Sequence, residues 1–253
     1  MKLLIDDIQR YLTCSKLFQL RRECKIPTQQ YSSIDDKYII ELKQMVYFFF
    51  NQIKNNGYVN LKMMKLKWGK LWIGERHRED LFVPNEDPVK GWYRKREKDG
   101  WDVIFKLWKR FGQKDPDKDK ILMDVIAINA VYMINILPDV QLYGVWPIIN
   151  VVDEKTQIMD FRLNDDIGSL KRDLILTSAS LAFKENFNTK EDKLLLYSLD
   201  KDRLLSTSRT DKDYRMLTET VKDFVRGIKS GVYIRAMSKR CDDCPYSYYC
   251  KEV

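Results

Sequence analysis

Long apolar runs are what this sequence lacks most plainly. No uninterrupted stretch approaches the ~20 residues a membrane span requires. The nearest, residues 121–137, is broken by Asp124, Asn129 and Asn135 and reads as a core helix. The first seven residues, MKLLIDD, are too acidic and too briefly apolar for a secretory leader. Internal repeats and low-complexity segments are missing too. Cysteine is sparse and odd in number, five in 253 residues, which excludes the dense disulfide framework of small secreted domains. These absences predict a cytoplasmic protein with no membrane association.

What is present is enough to fold. Hydrophobic residues make up 44% of the chain, sufficient for a sizeable core in one large domain or two small ones. The cysteines are placed unevenly: Cys14 and Cys24 near the start, Cys241, Cys244 and Cys250 in the last 13 residues, and none in the 216 between. Such a distribution suits a cytosolic metal site better than a scatter of core thiols. The formal charge of +8 is also uneven, with 14 Lys/Arg against 8 Asp/Glu between residues 61 and 110. The same window holds five of the six tryptophans, Trp68, Trp72, Trp92, Trp101 and Trp108. Cations neutralise phosphates and interleaved aromatics offer faces to bases, but a solvated face over core tryptophans fits the composition equally.

Helical spacing of Leu4, Ile8, Leu12, Leu17 and Leu20 predicts two short helices over residues 3–22, with Cys14 at their junction. Ser32-Ser33 opens a long helix ended by Asn55-Asn56-Gly57. After a polar break at 113–120, a further helix is expected up to about residue 136. Beyond Pro138 the pattern changes: strands at 140–152 and 156–163, a helix at 169–187, strands at 193–198 and 204–207, and an amphipathic helix at 211–230 stopped by Gly231. The expectation is one folded unit over 1–253. It has a helical part at 1–137 that carries a basic Trp-rich insertion at about 57–115, an α/β (α+β) part at 138–230, and a cysteine-rich tail at 231–253.

The tail reads C-x2-C-x5-C through Cys241, Cys244 and Cys250. Two intervening residues let both sulfurs reach one centre, and the next five let the chain wrap for a third. A fourth ligand must be Cys14 or Cys24. Four thiolates satisfy either tetrahedral zinc or a cubane cluster. Zinc ribbons use two paired knuckles, and the single C-x2-C pair here tilts the reading toward iron–sulfur.

One early cysteine, more than two hundred residues, and a terminal C-x2-C-x5-C resemble the iron–sulfur RecB-like nucleases of the PD-(D/E)XK superfamily. This is the type of the CRISPR-adaptation exonuclease and the AddB nuclease domain. Their opening helix carries a tyrosine three residues before the first cysteine, as Tyr11 stands before Cys14. The resemblance implies a restriction-endonuclease-like core with a mixed sheet. It also implies a [4Fe–4S] cluster on Cys14, Cys241, Cys244 and Cys250, joining the two ends of the chain, with Cys24 a buried thiol and zinc the alternative. The family's core carries G-x-x-D, then D-x-K, then a helix with Q-x-x-x-Y. In those motifs two acids hold a divalent metal that activates water, and the lysine offsets developing charge. The matching stretch from Gly144 puts Pro147 where the first aspartate belongs, and Asp160-Phe161-Arg162 keeps the second acid with arginine for lysine. Ile175 and Ala179 replace the helix glutamine and tyrosine, and the family's early histidine has no counterpart. His77, the sole histidine, lies in the basic stretch as a surface or phosphate-contacting residue.

Four altered motif positions imply a pseudo-nuclease in which Asp160 and Arg162 are remnants and magnesium or manganese is not expected. Asp139, Asn150 and Asp153 are the candidates for a migrated ligand, against a plain reading as strand edge and hairpin turn. Three functions follow. The first is a non-catalytic protein that binds nucleic acid in DNA processing, replication or recombination. Its ligand is DNA, single-stranded or at strand ends, by family analogy. Its expected contacts are Lys65, Lys67, Lys70, Trp72, Arg76, Arg78, Arg94, Lys95 and Arg96. The second is a metal-dependent exonuclease with rearranged acids, and the third an interaction subunit whose Trp-rich face docks a helicase, polymerase or recombination partner.

Overall fold

A computed structural model describes residues 1–22, 34–76, 89–112, 123–163, 170–237, 241, 244 and 246–251. Cys24, His77 and Arg78 lie outside the described residues. A short strand β1 (Lys2–Leu4) leads into α1 (Ile5–Thr13), and α2 (Ser15–Arg22) follows after one extended residue, Cys14, with φ −162° and ψ 104°. Asp6 and Asp7 in the first turn of α1 and Arg10 in its last suit the helix dipole. The long α3 (Ile34–Asn56) buries Leu42, Met45, Val46, Phe49, Phe50 and Ile53 along one stripe. Gly57, at φ 74°, supplies the left-handed residue that ends it. Then come α4 (Leu61–Arg76) and α5 (Val89–Phe111), which pack on α3 and on each other.

The helix expected up to about residue 136 is absent from residues 124–136. Asp124–Leu137 form the 14-residue strand β2. The run is apolar at nearly every position, so it carries no clear period to separate helix from strand. Six β-branched residues (Val125, Ile126, Ile128, Val131, Ile134, Ile136) decide for the extended state, where χ1 restriction costs least. The sheet therefore takes in residues 124–137 ahead of Pro138, together with β1.

The expected strands and helices that follow are present: β3 (Val140–Val152), β4 (Lys155–Arg162), α6 (Leu174–Phe187), β5 (Lys193–Ser198), β6 (Arg203–Thr207) and α7 (Asp211–Lys229); a short α8 (Ser247–Lys251), not among the expected elements, lies in the tail. Helix α6 starts later than its apolar pattern suggests because Asp173 is its cap, its Oδ1 accepting the Leu176 N–H at 2.9 Å. A capping box of Thr210 and Asp213 starts α7.

The six strands make one mixed sheet. Antiparallel β2 runs along one edge of β3, while the other edge is shared. Parallel β1 pairs with residues 141–143, and antiparallel β4 pairs with 148–152. Beyond β4 the sheet continues through parallel β5 and antiparallel β6. Helices α3, α4 and α5 build a core with Ile148, Met159, Phe161, Leu195 and Tyr197 on one face. On the other face, α1, α6 and α7 pack over Leu142, Trp146, Ile149, Ile158 and Leu194. Trp146 and Ile148, two residues apart, thus face opposite cores, so the alternation of β3 breaks at Pro147. Proline has no N–H to give to the ladder. Opposite it, Asn129 of β2 takes φ 50°.

Candidate functional site

The sheet forks at Pro147. Between the β1 and β4 pairings, residues 144–147 of β3 have no described strand on that edge. One step beyond the Ile148–Met159 pair, the register sets Pro147 against Asp160. Both line a cleft of about 50 Å³ together with Lys43, Val46, Tyr47 and Phe161. At ~10–15 Å³ for each water centre, this is room for a few waters. Both carboxylate oxygens of Asp160 are engaged. Its Oδ1 accepts the Phe161 N–H at 2.8 Å, and its Oδ2 accepts Arg162 Nε and Nη2 at 3.0 and 2.9 Å. Arg162 Nη1 reaches on to Asp173 Oδ2 at 2.5 Å.

The electrostatics follow from that closure. Burial pushes the Asp160 carboxyl above its ordinary value, opposed by Arg162 and the Phe161 N–H, although the side chain keeps 14% exposure. Two carboxylates hold Arg162 firmly protonated. Tyr47, across the cleft on α3, is raised by burial and by the Asp160 charge.

Glycine at 144 is required by packing. A Cβ there would lie 2.1 Å from the Tyr132 hydroxyl, whose ring crosses Gly144 and donates to Ser178 Oγ at 2.8 Å. Asp6, exposed on α1, and Asp160 both act electrostatically on this buried phenol. Ile175 and Ala179 offer no polar group to the fork. Ala179 is buried and lends only its carbonyl, to Trp146 Nε1 at 2.9 Å. Behind Asp173 lies Arg209, 1% exposed, donating to Thr177, Thr207, Ser208, Leu170 and Asp173 oxygens.

None of the migrated-ligand candidates reaches the fork. Asp139 and Asp153 stand eight and six residues along β3, roughly 26 and 20 Å away at ~3.3 Å per residue. Asn150 is fully buried and faces Gln157 at 3.5 Å. Lys43, Tyr47, Asp173 and Arg209 escape sequence reasoning. Only Asp173 leaves a local signal, a cap residue ahead of an apolar run.

The chain ends meet. Tyr11 donates to Val232 O at 3.3 Å, Ser15 Oγ donates to Ile234 O at 3.0 Å, and the Ile234 N–H returns to Ser15 Oγ at 2.6 Å. Tyr11 sits edge-on to Phe18, Phe224 and Tyr233. Cys14, Cys241, Cys244 and Cys250 are free thiols of intermediate exposure. Burial pushes the Cys244 thiol up, and the Cys14, Cys241 and Cys250 thiols lie close enough to add to that rise. Cys244 N–H turns back to Cys241 O at 3.3 Å, and Cys250 N–H bonds Tyr246 O at 3.0 Å. No three His, Cys, Asp or Glu side chains among the described residues converge tightly enough to hold one ion.

The basic window divides. Trp72 is fully buried and stacks on Trp68 at 5.5 Å, so the expectation that it contacts nucleic acid is corrected: no base can reach its face. Trp68 Nε1 donates to Glu97 O and Trp108 Nε1 to Val59 O, both as core residues. Lys65, Lys70 and Arg94 line one groove between α4 and α5. Lys67 lies instead over the Phe48 ring. Arg96 pairs with Asp99 at 3.6 Å beside a different cleft that also holds Asp102 and Asp200. Lys95 is exposed on α5, and Arg76 is the last residue of α4.

No helix among the described residues is long and apolar enough to cross a membrane. No family model and no curated protein matches this chain. Among solved structures, the one described as the crystal structure of SSO0001 is similar over 85% of this chain and 95% of that one, at 10% identity and a TM-score of 0.38. A likeness of that size carries no argument, and what stands is a mixed α/β fold with a six-stranded sheet.

Proposed function

We propose that this chain is a catalytically silent protein of the RecB-like iron–sulfur type. It binds DNA through its basic helices and holds its ends together with a [4Fe–4S] cluster. The observation that carries the reading is the fork. A phosphodiester-cleaving site of this kind needs carboxylates free to hold a divalent ion. Here Pro147 has no side-chain oxygen, and both oxygens of Asp160 accept hydrogen bonds, from Arg162 and the Phe161 N–H. Magnesium demands near-octahedral oxygen ligation, and one engaged carboxylate does not meet it. Arginine keeps its charge under all conditions and replaces the metal's positive charge inside the fold.

Cys14, Cys241, Cys244 and Cys250 fit the cluster by donor chemistry, four free thiols of which three act electrostatically on Cys244. The irons of a cubane sit at separate corners, so its thiolates stand farther apart than those of a single tetrahedral zinc. The single C-x2-C pair of the tail, where zinc ribbons use two, supports the cluster over zinc. When bound, it would supply a rigid covalent link between α1 and the tail. A cytoplasmic location suits such thiols.

The test is anaerobic purification with metal analysis, followed by fluorescence anisotropy on a labelled single-stranded oligonucleotide over a salt series. A brown protein with about four irons per chain supports the cluster, and a colourless protein with one zinc removes it. Binding that weakens steeply with salt, as counterion release requires, supports the DNA reading. No binding at low salt overturns it.

A further inference from the structure

Between α4 and α5 runs an open groove of about 780 Å³, within the ~300–1,000 Å³ of small-ligand sites. Its rim carries five cations, Lys62, Lys65, Lys70, Arg94 and Lys98, against one acid, Glu97. The floor is apolar: Leu66 at 58% exposure, the Gly69 backbone and the half-buried Trp101, with Lys65 Nζ 5.8 Å from the Trp101 ring centroid. Both helices feed this one groove. On α4 positions 62, 65, 66, 69 and 70, and on α5 positions 94, 97, 98 and 101, follow the three-and-four spacing of a single helix face. Trp68 also lines the groove but is only 2% exposed, and Met64 and Trp72 on its stripe of α4 are fully buried.

We infer that this groove is a track for single-stranded nucleic acid, with phosphates on the lysine rim and bases turned inward against Leu66 and Trp101. The inference rests on the nucleic-acid reading above and adds which strand state is taken and where. A duplex exposes phosphates but keeps its bases stacked inside, so it would answer the rim and leave the floor uncovered. A single strand presents charge and bare aromatic faces together, the pairing that stacking platforms use. To stack on Trp101 a base displaces the Lys65 ammonium, which is then free to meet a phosphate.

Gly69 permits a clean test, because a Cβ there meets nothing within 4 Å. Gly69→Leu fills the groove, and leucine is also the better helix former, so the melting temperature stays unchanged or rises. Anisotropy with labelled oligo-dT and with a blunt duplex of equal length reads the outcome. For wild type the single strand binds tighter than the duplex. Gly69→Leu weakens the single strand by about tenfold or more and leaves the duplex unchanged. Lys65→Gln weakens binding and flattens the salt slope by about 0.7, whereas Lys67→Gln, the same charge change off the groove, alters neither. Equal losses for Lys65→Gln and Lys67→Gln, a silent Gly69→Leu, or displacement of oligo-dT by polyglutamate at equal charge overturns the groove while leaving DNA binding intact. Wild type that binds neither oligonucleotide overturns the DNA reading itself.

Discussion

Arg162→Gln removes three hydrogen bonds at once, two to Asp160 and one to Asp173, and leaves two carboxylates facing each other without their cation. The side chains of Arg162, Asp160 and Asp173 are 24%, 14% and 9% exposed, so solvent screens the loss only in part. Breaking a buried pair from one side costs ~3–5 kcal/mol, and the residual exposure puts this one near the lower end. At ~2–4 °C per kcal/mol for a chain of this size, the melt should fall by about 6–12 °C. The sign of the pH response follows from Asp160. Burial already raises its pKa, and removing Arg162 raises it further. A carboxyl raised in the folded state carries its full penalty above the folded pKa and none below the unfolded one. The deficit of the variant should therefore shrink as pH falls from 8 toward 5. Circular dichroism melts at both pH values provide the check. A deficit under 2 °C at pH 8, or one that widens on acidification, refutes the bridging role. Asp160→Asn added to Arg162→Gln should recover part of the loss, because the uncompensated charge is gone.

Gly144→Ala should destabilise by about 1–3 kcal/mol in urea unfolding, since the new methyl collides with the Tyr132 ring; an unchanged midpoint would show that the ring yields freely. At the seam between α1 and α7, a Cβ on Gly227 lies 2.1 Å from the Tyr11 hydroxyl, so Gly227→Ala should lower both melting temperature and metal per chain. Tyr11→Phe in the same chain should restore much of both, and failure to do so would dissociate this contact from the cysteine end. Arg209→Met strands several buried acceptors, at ~1–3 kcal/mol each, and should unfold the chain several degrees earlier at every pH between 5 and 8.

How far the residues announced this structure depended on how local each signal was. Strands β3 and β5 match their expected bounds because turn residues bracket short apolar runs. Strand β2 misled because an unbroken apolar run has no period, and only its β-branched content spoke for extension. Pro147 was legible as a substitution, yet the register that sets it against Asp160 and the bridge from Arg162 to Asp173 are tertiary facts. Lys43 and Tyr47 reach the cleft from a helix more than a hundred residues upstream, where nothing local marks them. Trp72 was misassigned despite a readable clue: Met64, Trp68 and Trp72 repeat every four residues, the stripe of a buried helix face. The meeting of Cys14 with the tail could be argued from ligand number, but the Tyr11 and Ser15 bonds that position the tail could not.

The central proposal is that the fork at Pro147 and Asp160 does not cut DNA. Its most direct test incubates metal-loaded wild-type protein with end-labelled single-stranded DNA and either magnesium or manganese, with products resolved on a denaturing gel. The account predicts that the strand is bound and stays full length. Cleavage that depends on the divalent ion and disappears in Asp160→Ala or Asp6→Asn would contradict it.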